Sequence, residues 1–400
     1  MNEEWIERGK KVIMNTYSQF PISIEKGEGI NLWDADGKKY IDFVAGIAVN
    51  SLGYNDRDYV EEIFKQVTKI QHVSNLYWIP PSIELAEILV KNSCFDKVFF
   101  CNSGAESIEG AIKLARKYGL EKHGKHCNEI ITMKQSFHGR TLMALTATGQ
   151  TKYQKGFDPL VPGFSYANFN DFEDLRNKVN EKTCGILIEP IQGEGGIIPA
   201  DSYFLHEVRN MCDEMDIVLI FDEVQCGMGR TGNLFAYELF GVEPDVACFA
   251  KGLGGGIPIG AILANHKKAD ALKPGEHAST FGGNYIACVA AKVVLDKLLN
   301  HGVLDNVKKQ GKILKEKLNE LKEKYDFVID ARGYGLIQGL EVRFTNKDVK
   351  IKDIVLKCIE KGLLLVGAGE NTIRFVPPLI IKEQEIVEGI EILDGVLKQI

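Results

Sequence analysis

Five apolar runs punctuate the middle of the chain, at Phe95–Cys101, Glu129–Met133, Thr183–Pro190, Ile217–Asp222 and Val246–Ala250. Four of them stop at an ionisable side chain: Lys134, Glu189, Asp222 and Lys251. Continuous apolar runs rich in β-branched residues are the pattern of strands buried on both faces of a parallel sheet. Between the runs the apolar residues change to helical spacing. Ile108, Ile112, Ala115 and Tyr118 share one face of a helix predicted from Ser103 to about Tyr118. Glu109 and Lys113 support its turns at i,i+4. Further helices are predicted from Tyr203 to about Met215, and from S-T-F-G-G-N (Ser279 to Asn284) through Leu299. Strand, loop and helix thus repeat from residue 95 to 265. That order predicts an α/β protein with a large, doubly wound, mostly parallel sheet.

The flanks follow other patterns. Residues 1 to 20 predict a short helix and an arm ending at N-T-Y-S-Q-F-P. Residues 22 to 44 alternate around Asp36-Gly37, a hairpin signal. Residues 56 to 70 and 82 to 92 predict helices. After His301 a charge-laced helix spans residues 303 to 325, with Val307, Leu314, Leu318, Leu321 and Tyr325 as its stripe. The stripe is too short for a coiled coil and predicts a helix packed on a small sheet. Strands near Phe327–Asp330, Gly339–Phe344 and Thr372–Val376, with helices at 353 to 361 and 383 to 398, complete a compact C-terminal α/β unit. The expected organisation is an N-terminal arm and hairpin (residues 1–50) joined to a small C-terminal domain (301–400), with a large domain (51–300) between them.

Composition narrows the function classes. The chain has 400 residues, 45% hydrophobic and 26% charged, the ordinary mixture of a globular protein. A net charge of -7 argues against a nucleic-acid surface. None of the nine cysteines forms a C-x-x-C pair, and Cys101, Cys184 and Cys248 sit singly in apolar runs. That is the usage of reduced thiols in a cytoplasmic protein rather than of a disulfide framework or a zinc site. His123 and His126 lie in a polar, lysine-rich stretch without ligand spacing, so no metal site is expected. The N-terminus, M-N-E-E-W-I-E-R-G-K-K, lacks the apolar core of a signal peptide. No apolar run approaches the ~18 residues of a membrane span, so no membrane partner is expected.

Chemistry concentrates at the strand ends. In open α/β sheets ligands sit outside the carboxyl ends of the strands, where Asp222 and Lys251 both point. Lys251 lies between an apolar strand and the side-chain-free loop G-L-G-G-G. Desolvation there lowers its pKa and makes its amine nucleophilic toward a carbonyl. A buried acid opposite such a lysine, with glycine for close approach, fits pyridoxal phosphate. The lysine would bind the aldehyde and the acid would keep the pyridine nitrogen protonated. An acid that holds magnesium in a nucleotide triphosphatase is the competing reading, but it needs a G-x-x-x-x-G-K-[ST] loop, and none is present. A structural salt bridge of Asp222 is another. Ser103 and Glu106 fit a helix capping box. The same helix start, with Gly104, fits a phosphate held by free N–H groups, and the two readings compete for the same donors. In K-Q-S-F-H-G-R-T, an aromatic that can stack on a flat ring stands near an arginine that can grip a carboxylate. A turn with a partly buried phenylalanine explains that stretch equally.

Six motifs occur in order: G-A-E-S-I-E-G-A-I-K-L-A-R, S-F-H-G-R-T, E-P-I-Q-G-E-G-G, F-D-E-V-Q-C-G-M-G-R-T-G, A-K-G-L-G-G-G-I-P-I-G-A and S-T-F-G-G-N. Together they resemble the class III aminotransferases, fold type I pyridoxal-phosphate enzymes that work on terminal amino groups. The resemblance runs from about Tyr17 to about Glu391. It implies that Lys251 is the Schiff-base lysine and Asp222 the pyridinium partner. It also implies that Gln225 bonds the ring hydroxyl, that Ser103, Gly104 and Ala105 hold the phosphate, and that Phe137 stacks on the ring. Arg140 would take a substrate carboxylate, and Arg374 the α-carboxylate of glutamate or 2-oxoglutarate. Glu194 would mask Arg374, and Tyr17 and Ser279 would also line the substrate site. Thr280 would reach the phosphate of a neighbouring subunit in a homodimer with shared active sites. An aminomutase or decarboxylase on the same fold would keep the cofactor but not the second substrate.

The stretches F-V-A-G-I-A-V-N-S-L-G, H-V-S-N-L-Y-W-I-P-P and I-R-F-V-P-P-L most resemble the members of the class that act on acetylornithine. The implied reaction converts N2-acetyl-L-ornithine and 2-oxoglutarate to N-acetyl-L-glutamate 5-semialdehyde and L-glutamate, in arginine biosynthesis. Ornithine, 4-aminobutyrate and succinylated donors are the alternatives. Ornithine aminotransferases place a tyrosine where this chain has Ile47. Ile47 offers no hydrogen bond to a free, charged α-amine, and an acylated amine suits its apolar wall. Two departures from the family stand out. Its usual Gly-His-x-His-Pro run is here G-Y-N-D-R-D, Gly53 to Asp58, and the arm carries Gln19 where an arginine is frequent.

Overall fold

The computed structural model describes residues 1–344 and 349–400. A seven-stranded sheet forms its centre. The spatial order is Lys97–Cys101, Gly260–Ala264, Val246–Phe249, Val218–Asp222, Thr183–Ile188, Glu129–Met133 and Phe164–Ala167. From Val246–Phe249 to Phe164–Ala167 every pairing is parallel. Thr183–Ile188 and Val218–Asp222 are buried at every residue, as their unbroken apolar runs require.

Gly260–Ala264 runs antiparallel to both of its neighbours. The sequence pattern predicted no strand there. The connection from Ala250 to Ile259 is too short for the crossover that a parallel return needs, so the chain doubles back. The edge strand Phe164–Ala167 was also not predicted. It is four residues long and only its last residue is buried, so its pattern is weak. The helix that opens after Ser103 runs from Gly104 to His123, beyond Tyr118. Leu120 to His123 continue the helix while exposed, and a buried stripe carries no trace of them.

Two four-stranded sheets flank this centre. Val328–Tyr334, Ile337–Val342, Thr372–Phe375 and Val366–Ala368 form one, antiparallel throughout. Helix Val303–Lys324 packs on its first strand and on helix Glu383–Leu397, burying Val307, Leu314, Leu318 and Leu321. Tyr325 caps that helix half-buried, with its hydroxyl donating to Asp394 Oδ1 at 2.8 Å. The second sheet holds the N-terminal hairpin, Asn31–Asp34 with Lys39–Asp42. Leu363–Leu364 adds to that sheet in parallel, so the first fifty residues and the last hundred share one sheet.

Directly after the hairpin the backbone turns left-handed. Ala45, Gly46, Ile47 and Ala48 have φ of 50, 64, 65 and 61°. Three of the four carry a Cβ, and each such residue costs about 1–2 kcal/mol in this conformation. β-Branched Ile47 is the least suited of them.

Candidate active site

The parallel strands deliver their charged ends to one cavity of about 320 Å3. Ser103, Phe137, Glu189, Asp222, Gln225 and Lys251 are among its walls. Asp222 is the last residue of its strand, Glu189 follows Ile188, and Lys251 follows the Val246–Phe249 strand by one residue.

Asp222 is 4% exposed. Its Oδ1 accepts the Val224 N–H at 3.0 Å. Its Oδ2 lies 2.7 Å from Nδ1 of buried His138. A carboxylate can only accept, so Nδ1 carries the proton in this pair. His138 Nε2 is then free to accept from Thr132 Oγ1, at 3.1 Å. The chain Thr132, His138, Asp222 fixes the carboxylate and leaves it pointing into the cavity. A carboxylate so held stabilises a protonated ring nitrogen.

Lys251 opens a short 3-10 turn with φ of +41°, a left-handed strain at a non-glycine residue. Such strain clusters at functional sites. Burial lowers the pKa of its amine, against the opposing pull of Glu194, Asp222 and Glu189. Burial raises the pKa of Glu189 well above the carboxylate range, with the charge of Asp222 adding to it. Glu189 accepts the N–H groups of Phe137 at 3.0 Å and Gly193 at 3.3 Å, and so ties two cavity loops together.

At the other end of the cavity, the helix Gly104–His123 begins. Ser103 Oγ accepts from the Glu106 N–H at 3.2 Å. The Glu106 carboxylate does not return to Ser103 but accepts from Asn102, at the backbone N at 2.6 Å and at Nδ2 at 2.9 Å. The capping is therefore shifted by one residue. The first N–H groups of a helix have no partner within it, and those of Gly104 and Ala105 line the cavity. A Cβ on Gly104 would lie 2.7 Å from the Val224 side chain, so glycine is required for this close packing. The arrangement suits an oxyanion at a helix start.

Arg374 is 1% exposed, and its Nη1 donates to Glu194 Oε1 at 2.5 Å and to Gln225 Oε1 at 3.1 Å. Burial alone would raise the pKa of Glu194, but the charge and hydrogen bond of Arg374 bring it below its ordinary value. Nε of Arg374 is buried and has no hydrogen-bond partner among the described residues. A Cβ on Gly193 would meet Gln225 Oε1 at 2.3 Å, so glycine here lets Gln225 keep its place beside Arg374.

Of the remaining predicted residues, Phe137 also lines this cavity, whereas Tyr17, Arg140, Ser279 and Thr280 do not. Phe137 is partly buried and packs edge-on against Tyr153, at 5.7 Å between ring centres. The exposed Arg140 stacks over Tyr153 at 4.1 Å and stands 5.2 Å from the Phe137 ring. Tyr17 and Ile47 line a second cavity of about 920 Å3 between the arm and the left-handed turn. Ser279 Oγ accepts from Asn102 Nδ2 at 3.1 Å, while Thr280 is exposed.

Sequence reasoning assigned roles to Phe137 and Arg140 but none to His138 between them. Testing the histidines for metal-ligand spacing could not find a partner that lies 84 positions away. Glu189 was visible as a strand-end acid, but its role as a bracket between loops was not.

The comparisons with known proteins follow this geometry. The profile of the family Aminotransferase class-III matches residues 12–397. The acetylornithine aminotransferase of Caldanaerobacter subterraneus subsp. tengcongensis is 53% identical over 391 residues, covering 98% of each chain. That of Methanocaldococcus jannaschii is 48% identical, covering 100% of this chain and 99% of its own. Among solved structures, the N-acetylornithine aminotransferase of Stenotrophomonas maltophilia matches with a TM-score of 0.84 at 37% identity, covering 98% of each chain. The ornithine aminotransferase of Toxoplasma gondii matches with a TM-score of 0.95 at 29% identity, covering 100% of this chain and 96% of its own. A doubly wound sheet, a strand-end acid facing a lysine, and a family match over nearly the whole length lead to one assignment: this chain belongs to the class III aminotransferases, a family of pyridoxal-phosphate enzymes.

Proposed function

We propose that this aminotransferase uses pyridoxal 5'-phosphate to move the terminal amino group of N2-acetyl-L-ornithine to 2-oxoglutarate. The products are N-acetyl-L-glutamate 5-semialdehyde and L-glutamate, a step of arginine biosynthesis. The pairing of Arg374 with Glu194 beside the Lys251 cavity carries the reading. Two unlike substrates must use one pocket. Glutamate and 2-oxoglutarate bring an α-carboxylate that would displace Glu194 and take Arg374 with two bonds. A donor that presents its terminal amine brings no carboxylate to that place, and Glu194 then keeps the guanidinium compensated. Leaving such a buried charge unpaired costs about 3–5 kcal/mol.

The residues fit the cofactor. The start of helix Gly104–His123, with Ser103, Gly104 and Ala105, offers donors for the phosphate. Phe137 offers a ring face, Gln225 an amide for the ring hydroxyl, and Asp222 a carboxylate for the ring nitrogen. When bound, the cofactor supplies an aldehyde for the amino group and an electron-accepting ring. Lys251 Nζ anchors it and carries the proton to and from the reacting carbon of the substrate. Asp222, steadied by His138, keeps a positive charge on the ring nitrogen. Arg140 takes the far carboxylate of the donor. Ile47 receives the uncharged acetylamino group, and Tyr17 and Ser279 complete the substrate walls.

The working unit is a cytoplasmic homodimer with shared sites. Leu76, Tyr77 and Trp78 are 86, 68 and 88% exposed, near Phe281 at 58%. Asn75 Nδ2 ties this segment to the Ser279–Gly282 loop, donating to Ser279 O at 3.0 Å and Gly282 O at 2.9 Å. A contiguous apolar patch of this kind marks an interaction surface, and Thr280 sits in the same loop, available to the phosphate of a second subunit.

The test is transamination with 2-oxoglutarate as acceptor. Glutamate should form in equal amount with the semialdehyde. kcat/KM for acetylornithine should exceed that for ornithine and for 4-aminobutyrate by at least ~10-fold, the effect of leaving a charged amine unpaired. A ratio near one, or one that favours ornithine, 4-aminobutyrate or a succinylated donor, rejects the donor assignment.

A further inference from the structure

The left-handed turn Ala45–Ala48 sits between the two cavities. Val49, directly after it, lines the Lys251 cavity. Gly46 and Ile47 line the larger one beneath the N-terminal arm. Three residues past the turn, Ser51 reaches the lysine's own turn, its Oγ donating to Gly252 O at 3.3 Å. Nothing in the residues Ala-Gly-Ile-Ala favours three left-handed non-glycine positions, so something outside them must impose the conformation.

The imposing group is Asp42. It is 1% exposed. Oδ1 accepts the N–H groups of Val44 at 2.8 Å and Ala45 at 3.0 Å, and Oδ2 accepts from Ala45 at 3.0 Å. Among the described residues no cation lies within ion-pair distance of this carboxylate, although the charge of buried Arg230 acts on it from farther away, and its one side-chain donor is the Tyr54 hydroxyl, 2.7 Å from Oδ2. Tyr54 is itself held at both backbone and ring. Its backbone exchanges two hydrogen bonds with Gly29, at 2.9 and 2.8 Å. Its ring fills the place of a side chain at Gly27, where a Cβ would lie 2.6 Å from Tyr54 Cγ. Asn50 Nδ2 donates to the Tyr54 hydroxyl at 3.3 Å and lies 3.0 Å from where a Gly46 Cβ would stand.

We propose that Asp42 and Tyr54 are positioning residues for donor selection: their hydrogen bond latches the Ala45–Ala48 turn and so holds Ile47 and Val49 as one rigid wall between the two cavities. Without the phenol, Oδ2 is a buried acceptor short of a donor. The carboxylate then reorients, Ala45 loses its acceptor, and the turn relaxes toward right-handed or extended backbone. Ile47 leaves the wall, and the pocket stops excluding a free α-amine. The donor part of this inference rests on the acetylornithine reading above, while the latch itself does not.

The test uses the cofactor-loaded enzyme and the variants Tyr54→Phe and Asp42→Asn, singly and together. Hydrogen–deuterium exchange of amides 44–50 should quicken by about tenfold in Tyr54→Phe, with the rest of the chain unchanged. The acetylornithine to ornithine ratio of kcat/KM should fall by about tenfold, and the visible absorption of the bound cofactor should stay as in the wild type. Because the two residues act through one bond, the double variant should be no worse than the worse single one. Exchange that stays unchanged in 44–50, or rises evenly over the chain, overturns the latch, as do fully additive effects. An unchanged ratio in an enzyme that does prefer acetylornithine overturns the selection role. A wild-type enzyme without that preference refutes the donor reading instead, and the exchange and additivity results still decide the latch.

Discussion

Asp222 and Ile47 line two different cavities, and different kinds of structure hold them. Asp222 ends a strand buried at every residue, with parallel neighbours on both sides and His138 at 2.7 Å. Ile47 stands in a strained left-handed turn at 37% exposure, held by a few backbone hydrogen bonds donated to Asp42. A sheet spreads the cost of any change over many contacts, so its strand ends stay fixed when one side chain is altered. A strained turn is bistable and depends on single partners. The comparison teaches a division of labour. On the proposed roles, chemistry sits on the buried sheet, and discrimination between donors sits on a turn that small substitutions can move.

The strongest way to break this division is at Lys251. Lys251→Ala should cut turnover by at least ~10²–10⁴-fold, the usual contribution of a positioned proton carrier. The fold should survive, as judged by an unchanged circular dichroism spectrum, because the strand before it is held without the side chain. Activity close to wild type would remove the lysine from the mechanism. Next in size is Asp222→Asn. The amide cannot hold a positive charge at the ring nitrogen, and loss of one preorganised electrostatic partner typically costs ~10²–10³-fold. The rate of α-proton exchange in a single half-reaction is the measurement, and a rate equal to the wild type rejects the role.

The comparison extends to a third region, the Ser279–Gly282 loop, whose partner is proposed to lie in another subunit. Thr280→Glu should be inactive, since it brings a carboxylate to a phosphate. Mixed with Lys251→Ala subunits, it should regain activity. A mixed dimer holds one site with both a lysine and a wild-type Thr280. Random pairing then restores about a quarter of the wild-type activity. No recovery after verified subunit exchange would mean that each subunit completes its own site.

These regions were not equally legible in the sequence. The sheet and its charged strand ends were visible because a strand buried on both faces leaves an unbroken apolar run, and the residue that stops it stands out. The reversed strand Gly260–Ala264 was not, because its direction depends on the length of the loop before it rather than on its own residues. His138 escaped because its partner is close only in space. Glu194 and Arg374 were paired through family resemblance; no local pattern links positions 180 apart. At the donor wall, Ile47 was identified but its backbone was not. Alanine and isoleucine carry no left-handed signal, and the conformation is set by Asp42 and Tyr54, which flank the turn.

The smallest expected effect is also the sharpest test of the donor wall. Ile47→Tyr replaces an apolar surface with a hydroxyl at the mouth of the larger cavity. The exchange should not unfold the turn. Tyrosine is not β-branched, so it tolerates φ of 65° better than isoleucine does, and the Asp42 bonds to Val44 and Ala45 do not involve residue 47. The new hydroxyl can accept a hydrogen bond from the free α-amine of ornithine, which removes part of the cost of burying that charge there. It also takes space from the acetyl group. The acetylornithine to ornithine ratio of kcat/KM should therefore fall by about tenfold, equivalent to ~1.4 kcal/mol, with most of the change from faster use of ornithine. The melting temperature should stay within a few degrees of the wild type, as for a surface substitution of ~0.5 kcal/mol or less. A lower ratio with an unchanged melting temperature places selection on the side chain at 47. An unchanged ratio places it on the other walls of that cavity, where Tyr17 is the residue to change next.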